Sequence, residues 1–191
     1  MCLTIFHKLR TFLLDRFFSF FFCVFNSVDF RYFKSIPVLS QCIEKTRTYL
    51  LKCLGAEIGQ NSYVRYDLFI TNPKLLHLGN SSKLGIRSEL FLYSDLSIGD
   101  NVEIGSDLIV HTSDHNLSDP NMPLCKQGGV PRPVIIGSNV YIGSRVTILS
   151  GVVVDDYVVI GAGSVVTTNL GTGYIYGGIP AKRIKKIHAD C

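Results

Sequence analysis

The chain has 191 residues and carries 19 Lys and Arg against 15 Asp and Glu, a formal net charge of +4 at pH 7. This length predicts one domain with an N-terminal addition. The six cysteines form no CxxC pair, which argues against a zinc site and for a reducing, cytoplasmic compartment. The basic surplus is confined to residues 1–54, and no nucleic-acid or metal partner is expected.

The N-terminal segment, residues 1–55, is predicted to be helical and is rich in phenylalanine. Its apolar stretch is too short to span a bilayer comfortably and has no small-residue cleavage site. Two interpretations remain open. The segment covers the open end of the domain that follows, or residues 8–34 lie on the inner membrane surface with their aromatic rings in the interface. A further helix, at about 41–53, should lead into that domain.

A six-residue repeat dominates the rest of the chain. Aliphatic residues recur at this spacing at Ile136, Ile142, Ile148, Val154, Ile160 and Val166. Neither a helix nor a simple strand has a period of six, whereas a parallel β-helix places one hexad on each face of a triangular coil. The repeat runs less evenly upstream and slips by two residues before Ile98. It predicts an all-β solenoid over residues 56–170, with 18 residues in each turn and glycines at the corners.

The repeat is broken once, by a polar segment rich in Pro, Gly and Asp at residues 111–133. We expect a loop extruded from the solenoid, and such loops commonly carry function. His111 and His115 lie at its mouth, with Asp114 between them. A neutral histidine is suited to act as a general base near pH 7. A turn-forming role for Asp114 stays open.

Three blocks resemble a known family: the loop with residues 133–137, residues 138–152, and residues 159–167 followed by 178–182. In order and spacing they are similar to the hexapeptide-repeat (left-handed β-helix) acyltransferases, above all the sugar and polysaccharide O-acetyltransferases. The resemblance implies a left-handed parallel β-helix with a C-terminal cap and tail, residues 171–191, that includes a short helix. It also implies a homotrimer with each active site between two subunits.

The resemblance also implies the site. His115 is the general base for direct attack of an acceptor hydroxyl on acetyl-CoA, without a metal. Acceptor-side candidates are Ser88, Glu89, Asp114 and His111; the first two lie in the stretch where several relatives place an asparagine. The CoA-binding candidates are Gly143, Ser144, Ala162, Gly163, Thr167, Thr168, Lys182 and Lys185. The two lysines belong to a basic cluster that either meets the nucleotide phosphates or is an ordinary charged helix.

The predicted function is acetyl-CoA-dependent O-acetylation of a sugar hydroxyl in a cell-surface polysaccharide or its precursor, in the cytoplasm or at the inner membrane surface. N-acetylation of an amino sugar nucleotide is the main alternative. A γ-type carbonic anhydrase would need His77, His111 and His115 around zinc. A third alternative is a non-catalytic scaffold. Within the enzyme hypotheses, Cys125 in the loop is an alternative nucleophile.

Overall fold

The computed structural model describes residues 16–17, 19–21 and 37–187, and shows a parallel β-solenoid of about six turns preceded by a helix. Each of the five complete turns gives one short strand to each of three sheets, whose strands pair in parallel from turn to turn, and the turns stack along one axis. The aliphatic residue that leads each hexad points inward, so Ile136, Ile142 and Ile148 are at most 1% exposed. The predicted all-β solenoid is confirmed.

The strands fall into three sheets, met in the same order in each turn. Sheet 1 contains Glu57–Ile58, Leu76–Leu78, Leu96–Ile98, Val134–Ile136 and Val153–Val154. Sheet 2 contains Tyr63–Val64, Lys83–Leu84, Glu103–Ile104, Tyr141–Ile142, Val159–Ile160, Tyr174–Gly177 and Lys182–Lys186. Sheet 3 contains Phe69–Ile70, Glu89–Phe91, Ile109–His111, Thr147–Ile148 and Val165–Val166. The chain turns a corner between one sheet and the next. We call the corner from sheet 1 to sheet 2 the first corner, the corner from sheet 2 to sheet 3 the second corner, and the corner from sheet 3 back to sheet 1 the third corner.

The early turns are longer than three hexads. Ile58 pairs with Leu78 and Leu78 with Ile98, whereas Ile136 pairs with Val154. The first two turns therefore hold 20 residues and the later one 18. The two additional residues lie at the third corner, which in the first turn includes a 3₁₀ helix at Pro73–Leu75. The predicted turn length holds only for the C-terminal part of the solenoid.

Two of the corners are built from residues in the left-handed backbone conformation, most of which are not glycine. The first-corner residues are Asn61, Ser81, Asn101, Asn139 and Tyr157, and those of the second corner are Asp67, Arg87, Asp107 and Arg145. Glycines do lie at these corners, as expected, but most of them are not the residues with a positive φ. Glycine is needed two residues before several of these left-handed residues, as at Gly143 before Arg145. Neighbouring turns stack too closely there for a side chain, because a Cβ on Gly143 would lie 2.5 Å from the Ala162 nitrogen.

The helix Pro37–Cys53 covers the open N-terminal end of the solenoid. Leu50 and Leu51 join the core, and the Thr48 hydroxyl accepts a hydrogen bond from the Val64 N–H at 3.2 Å. The helix therefore protects a strand that would otherwise be exposed. The predicted helix at 41–53 is confirmed and begins at Pro37. The membrane-surface prediction for residues 8–34 falls outside the described residues, apart from 16–17 and 19–21.

Among the residues that the structure describes, no helix has both the length and the apolar composition needed to cross a bilayer.

The C-terminal cap is a β-hairpin, so the short C-terminal helix was a wrong prediction. Tyr174–Gly177 continues sheet 2 by pairing in parallel with Val159–Ile160, and Lys182–Lys186 returns antiparallel to it. Hydrogen bonding to the last complete turn favours a strand at this position, and Ile184 lies over the bare backbone of Gly177. The basic side chains consequently project from an exposed sheet edge.

Candidate active site

The loop leaves the solenoid at the third corner as a two-stranded ribbon. Ser113–His115 pairs antiparallel with Gly129–Pro131, so that His115 faces Gly129. Thr112 is fully buried at the base of this ribbon. Its hydroxyl donates to the Ser94 carbonyl at 2.9 Å and accepts from the Tyr93 N–H at 2.8 Å. The ribbon is thereby fastened to the preceding turn, and the position of His115 is fixed relative to the solenoid.

Hydrogen bonds from one side chain organise the tip of the loop. The Gln127 amide donates to the carbonyls of Asp119 and Met122, both at 2.8 Å, and accepts from the Asp119 N–H at 3.0 Å. The Asp119 carboxylate accepts from the Asn121 N–H, which is the behaviour of a turn former. Asp114 likewise accepts from the backbone N–H of His115 at 2.8 Å.

A cleft of about 690 Å³ lies between the ribbon and the outer surface of sheet 3. It brings together three of the predicted site residues, His111, Asp114 and His115. The other lining residues are Phe91, Tyr93, Ser113, Cys125, Gly128, Gly129, Pro131, Leu149 and Ser150. Phe91, Tyr93 and Leu149 were not predicted as site residues. The 20-residue spacing between Phe91 and His111, one full turn, is the signal that could have linked them.

His111 stacks on an aromatic ring within this cleft. Its imidazole lies parallel to Phe91, with 4.8 Å between ring centroids and 5° between ring planes. Phe69, from the turn before, contacts Phe91 at 5.3 Å. These residues are neighbours on the outer surface of sheet 3, where Phe91 pairs with His111. Stacking therefore sets the orientation of the His111 ring.

The structure does not bring Ser88 or Glu89 to the cleft. Ser88 is 0% exposed, and its hydroxyl donates to the Gly85 carbonyl at 3.0 Å. It occupies an inward position of the repeat, so the prediction that it meets an acceptor was wrong. Glu89 is exposed on sheet 3 between Phe69 and Ile109, and is not part of the cleft wall.

The predicted CoA-binding residues lie at three places. Gly143, Ser144, Ala162 and Gly163 stack on one another at the second corner. Thr167 and Thr168 follow the last strand of sheet 3 at the third corner, and Lys182 and Lys185 lie on the exposed hairpin. Gly163 has a φ of +72°, and a side chain added there would meet nothing within 4 Å. The second corner therefore offers open space beside its backbone.

One backbone N–H group at the second corner lacks the hydrogen bond that its equivalent in the previous turn makes. The Ser106 N–H donates to the Ser144 hydroxyl at 3.2 Å, a bond between residues in equivalent positions of successive turns. In the next turn that position is Ala162, which has no side-chain oxygen. The Ser144 N–H consequently donates to no other group in the described part of the chain.

His77 lies apart from the cleft. Its Nδ1 is 2.8 Å from Glu57 Oε2 and its Nε2 is 3.4 Å from Asp95 Oδ1, on the outer surface of sheet 1. The hydrogen bond to Glu57, with a smaller contribution from Asp95, raises the pKa of His77. Within the ranges described, no cluster of three or more His, Cys, Asp or Glu side chains is placed to hold a metal ion. His77 is thus not combined with His111 and His115.

This arrangement predicts a pH-dependent contribution to stability. The pKa of His77 is higher in the folded protein than in the unfolded chain, where it is about 6.5. The contribution of protonated His77 to the free energy of unfolding is therefore complete below about pH 6.5, and it is lost as the pH rises through the pKa of the folded protein. Replacing His77 with Gln should therefore lower the free energy of unfolding more at about pH 5.5 than at about pH 8.5. The difference should be up to about 1 kcal/mol, because the site is partly exposed. Urea unfolding of both proteins measures the difference. An equal cost at the two pH values would contradict the prediction.

A parallel solenoid of six-residue repeats, with a histidine-bearing loop that closes a cleft at one corner, defines a hexapeptide-repeat transferase. The family profile Bacterial transferase hexapeptide (six repeats) matches residues 133–168. Galactoside O-acetyltransferase of Escherichia coli K12 is 31% identical over 147 residues, covering 76% of this chain and 70% of that protein. The chain belongs to the hexapeptide-repeat acetyltransferase family, so the predicted resemblance is confirmed.

Two further relatives support this assignment. The E. coli K12 protein WbbJ, named for O-acetyl transfer in lipopolysaccharide biosynthesis, is 29% identical over 156 residues, covering 66% of this chain and 80% of that protein. The structure of a galactoside acetyltransferase in complex with coenzyme A superposes with a TM-score of 0.73 at 26% identity, covering 93% of this chain and 82% of the other. The protein is accordingly an acetyltransferase.

Proposed function

We propose that the protein transfers the acetyl group of acetyl-CoA to a hydroxyl of a sugar in a cell-surface polysaccharide or its precursor. The observation that carries this proposal is the cleft, which gathers His111, Asp114 and His115 beside the loop of an acetyltransferase solenoid. The relatives named for galactoside and lipopolysaccharide O-acetylation support the choice of a carbohydrate acceptor.

In the proposed mechanism His115 acts as the general base. Its neutral imidazole takes the proton of the acceptor hydroxyl while that oxygen attacks the carbonyl carbon of the thioester. The resulting oxyanion is stabilised by a backbone donor, for which the Ser144 N–H, unpaired within the described part of the chain, is the candidate. Collapse breaks the carbon–sulfur bond, and the leaving thiolate takes the proton back from the imidazolium. The products are an acetyl ester and free CoA.

We propose that each active site is shared by two subunits of a homotrimer. His115 lies at the third corner, whereas the open backbone at Gly143, Ser144 and Gly163 lies at the second corner, and the whole of sheet 3 separates the two within one chain. A thioester held at the second corner would therefore meet His115 of a neighbouring subunit. Closed rings of identical subunits are a common way to build such heterologous contacts.

Free-thiol release from acetyl-CoA tests the proposed activity. The acceptor panel contains neutral sugars, amino sugars, sugar nucleotides and polysaccharide fragments. Release that depends on a hydroxyl acceptor is expected. Release only with amino sugars would replace O-acetylation by N-acetylation, and failure to bind CoA would contradict the proposal.

The second corner is tested by placing a side chain in its open space. We expect Gly163→Asn to raise the KM for acetyl-CoA by at least about tenfold, a loss of about 1.4 kcal/mol of binding free energy. The fold should be retained because asparagine adopts the left-handed conformation at Asn101 and Asn139. Gly173→Asn is the matched control: Gly173 also has a positive φ and open space, but lies at the first corner. An unchanged KM in Gly163→Asn would contradict the assignment.

Mixed oligomers test the sharing of the site. Subunits with His115→Ala and subunits with Gly163→Asn are each impaired, but random co-assembly restores about one site in four if each site uses both subunits. Recovery of activity after co-expression is the expected result. If the mixed protein is no more active than the two variants measured separately, the active site lies within one chain.

A further inference from the structure

The far end of the active-site loop is folded without a hydrophobic core. We call residues 116–128 the loop tip. Its large apolar side chains are exposed, by 65% at Leu117, 43% at Met122 and 62% at Leu124. The tip residues that are partly buried are all polar: Asn116, Asp119 and Gln127. Burial of apolar surface therefore contributes little to the shape of the tip, and that shape depends on its hydrogen bonds.

The Gln127 carboxamide joins the two arms of the loop tip. We call residues 116–122 the outgoing arm and residues 123–128 the returning arm. Gln127 donates to two carbonyls of the outgoing arm and accepts from one of its N–H groups, at 2.8 to 3.0 Å. We call these three hydrogen bonds the Gln127 clamp. In the part of the chain that the structure describes, the arms share one other hydrogen bond, from the Asn116 N–H to the Gly128 carbonyl at the base of the tip. Without the clamp, the arms beyond that base would separate.

His115 lies directly at the base of the loop tip. It is the last ribbon residue before the outgoing arm, and it faces Gly129, which follows the returning arm. Its side chain is exposed, and its imidazole makes no hydrogen bond to any residue that the structure describes. The position of the ring in the cleft consequently follows the course of the backbone. Thr112 fastens the ribbon at the solenoid, and the Gln127 clamp fastens it at the far end.

We propose that Gln127 is a positioning residue for His115: by holding the two arms together, its clamp keeps the imidazole where it can reach the acceptor hydroxyl. The inference rests on the proposed function and adds to it a residue that touches neither substrate. Proton transfer needs the two heavy atoms within about 3 Å of each other. A displacement of about 1 Å can lower the rate by about a hundredfold, so a loosened tip should slow the reaction without weakening the fold.

Steady-state kinetics of Gln127→Glu form the first part of the test. Glutamate has the shape of glutamine and still accepts from the Asp119 N–H, but as a carboxylate it has no hydrogen to donate to the two carbonyls. We expect kcat to fall at least about tenfold, with the KM for acetyl-CoA and the Tm unchanged. Gln127→Met, uncharged and of similar length, should behave alike, which excludes an effect of the new charge. Ser118→Ala is the matched control, because the Ser118 side chain makes no hydrogen bond within the described residues. Full kcat in Gln127→Glu and Gln127→Met would overturn the proposal.

Trypsin reports whether the loop tip opens. Lys126 is the one lysine in the loop, and its other basic residue, Arg132, precedes Pro133 and so resists trypsin. Cleavage after Lys126 requires the tip to open locally, and its rate therefore follows the population of the open form. We expect this cleavage, followed by mass spectrometry, to be at least about tenfold faster in Gln127→Glu than in the wild type or Ser118→Ala. Faster cleavage with a normal kcat, or a low kcat without faster cleavage, would overturn the proposal.

An NMR measurement separates this inference from the proposed activity. The chain has five histidines, so the imidazole proton signals of His115 can be assigned with the His115→Ala variant. Gln127→Glu should shift the His115 signals and leave those of His77, on sheet 1, in place. If the signals shift but the wild type releases no thiol, Gln127 still positions His115 and the acetyl-transfer proposal alone is removed. Unchanged His115 signals would remove the role of Gln127 alone, whatever the activity of the wild type.

Discussion

Replacing His115 with alanine is expected to lower kcat for acetyl transfer by at least about a hundredfold, the usual minimum contribution of a general base. Without the imidazole, the acceptor hydroxyl keeps its proton during the attack and remains a weak nucleophile. The KM for acetyl-CoA should change little, because the proposed cofactor contacts lie at the second corner and His115 lies at the third. Steady-state thiol release with saturating acceptor measures both quantities.

Two matched variants sharpen this prediction. His77→Ala removes the imidazole on sheet 1, away from the cleft, and should keep full activity near neutral pH. His111→Gln should cause a smaller loss in kcat, because the His111 ring is stacked on Phe91 in the wall of the cleft and is not the proposed base. If His115→Ala retains its kcat while His111→Gln loses it, the two histidines exchange roles and the proposed mechanism is wrong.

Replacing Ile142 with alanine is expected to reduce the free energy of unfolding by about 2–5 kcal/mol. The side chain is fully buried in the central part of the solenoid, and the strand that carries it pairs with those of Ile104 and Ile160 on either side. The narrow triangular interior cannot collapse to fill the space, because the backbone of each turn is hydrogen-bonded to the next. The cavity therefore persists and adds to the lost hydrophobic burial.

Ile135→Ala is the control for this loss of stability. Ile135 belongs to the same solenoid turn but points outward and is 43% exposed. Its replacement by alanine should therefore change the free energy of unfolding by no more than about 0.5 kcal/mol. Urea unfolding of the two variants at one protein concentration compares them directly. Equal losses would contradict the assignment of inward and outward positions in the repeat.

The repeat predicted the core with little error. The residues that lead each hexad from Ile136 to Val166 are all nearly inaccessible to solvent, because hexad spacing matches one strand and one corner of the triangular coil. The mouth of the loop was also located correctly, since a break in a regular repeat is visible in sequence. His111, Asp114 and His115 consequently lie together as expected.

The predictions that were wrong involve contacts between turns. Ser88 was chosen because it lies in the stretch where several relatives place an asparagine, but it occupies an inward position of the repeat and its side chain is buried. Phe91 contributes to the cleft because a 20-residue turn places it beside His111. The C-terminal cap became a strand because sheet 2 offered an edge to pair with. None of these features follows from local propensity alone.

Product analysis tests the central proposal most directly. The protein, acetyl-CoA and a neutral glycoside are incubated, and the acceptor is examined by mass spectrometry before and after mild alkaline treatment. The expected result is one acetyl group on the glycoside for each CoA released, removed by alkali as an ester should be, and absent with His115→Ala. CoA release without an acetylated glycoside, or an alkali-stable acetyl group on an amino sugar as the only product, would contradict the account.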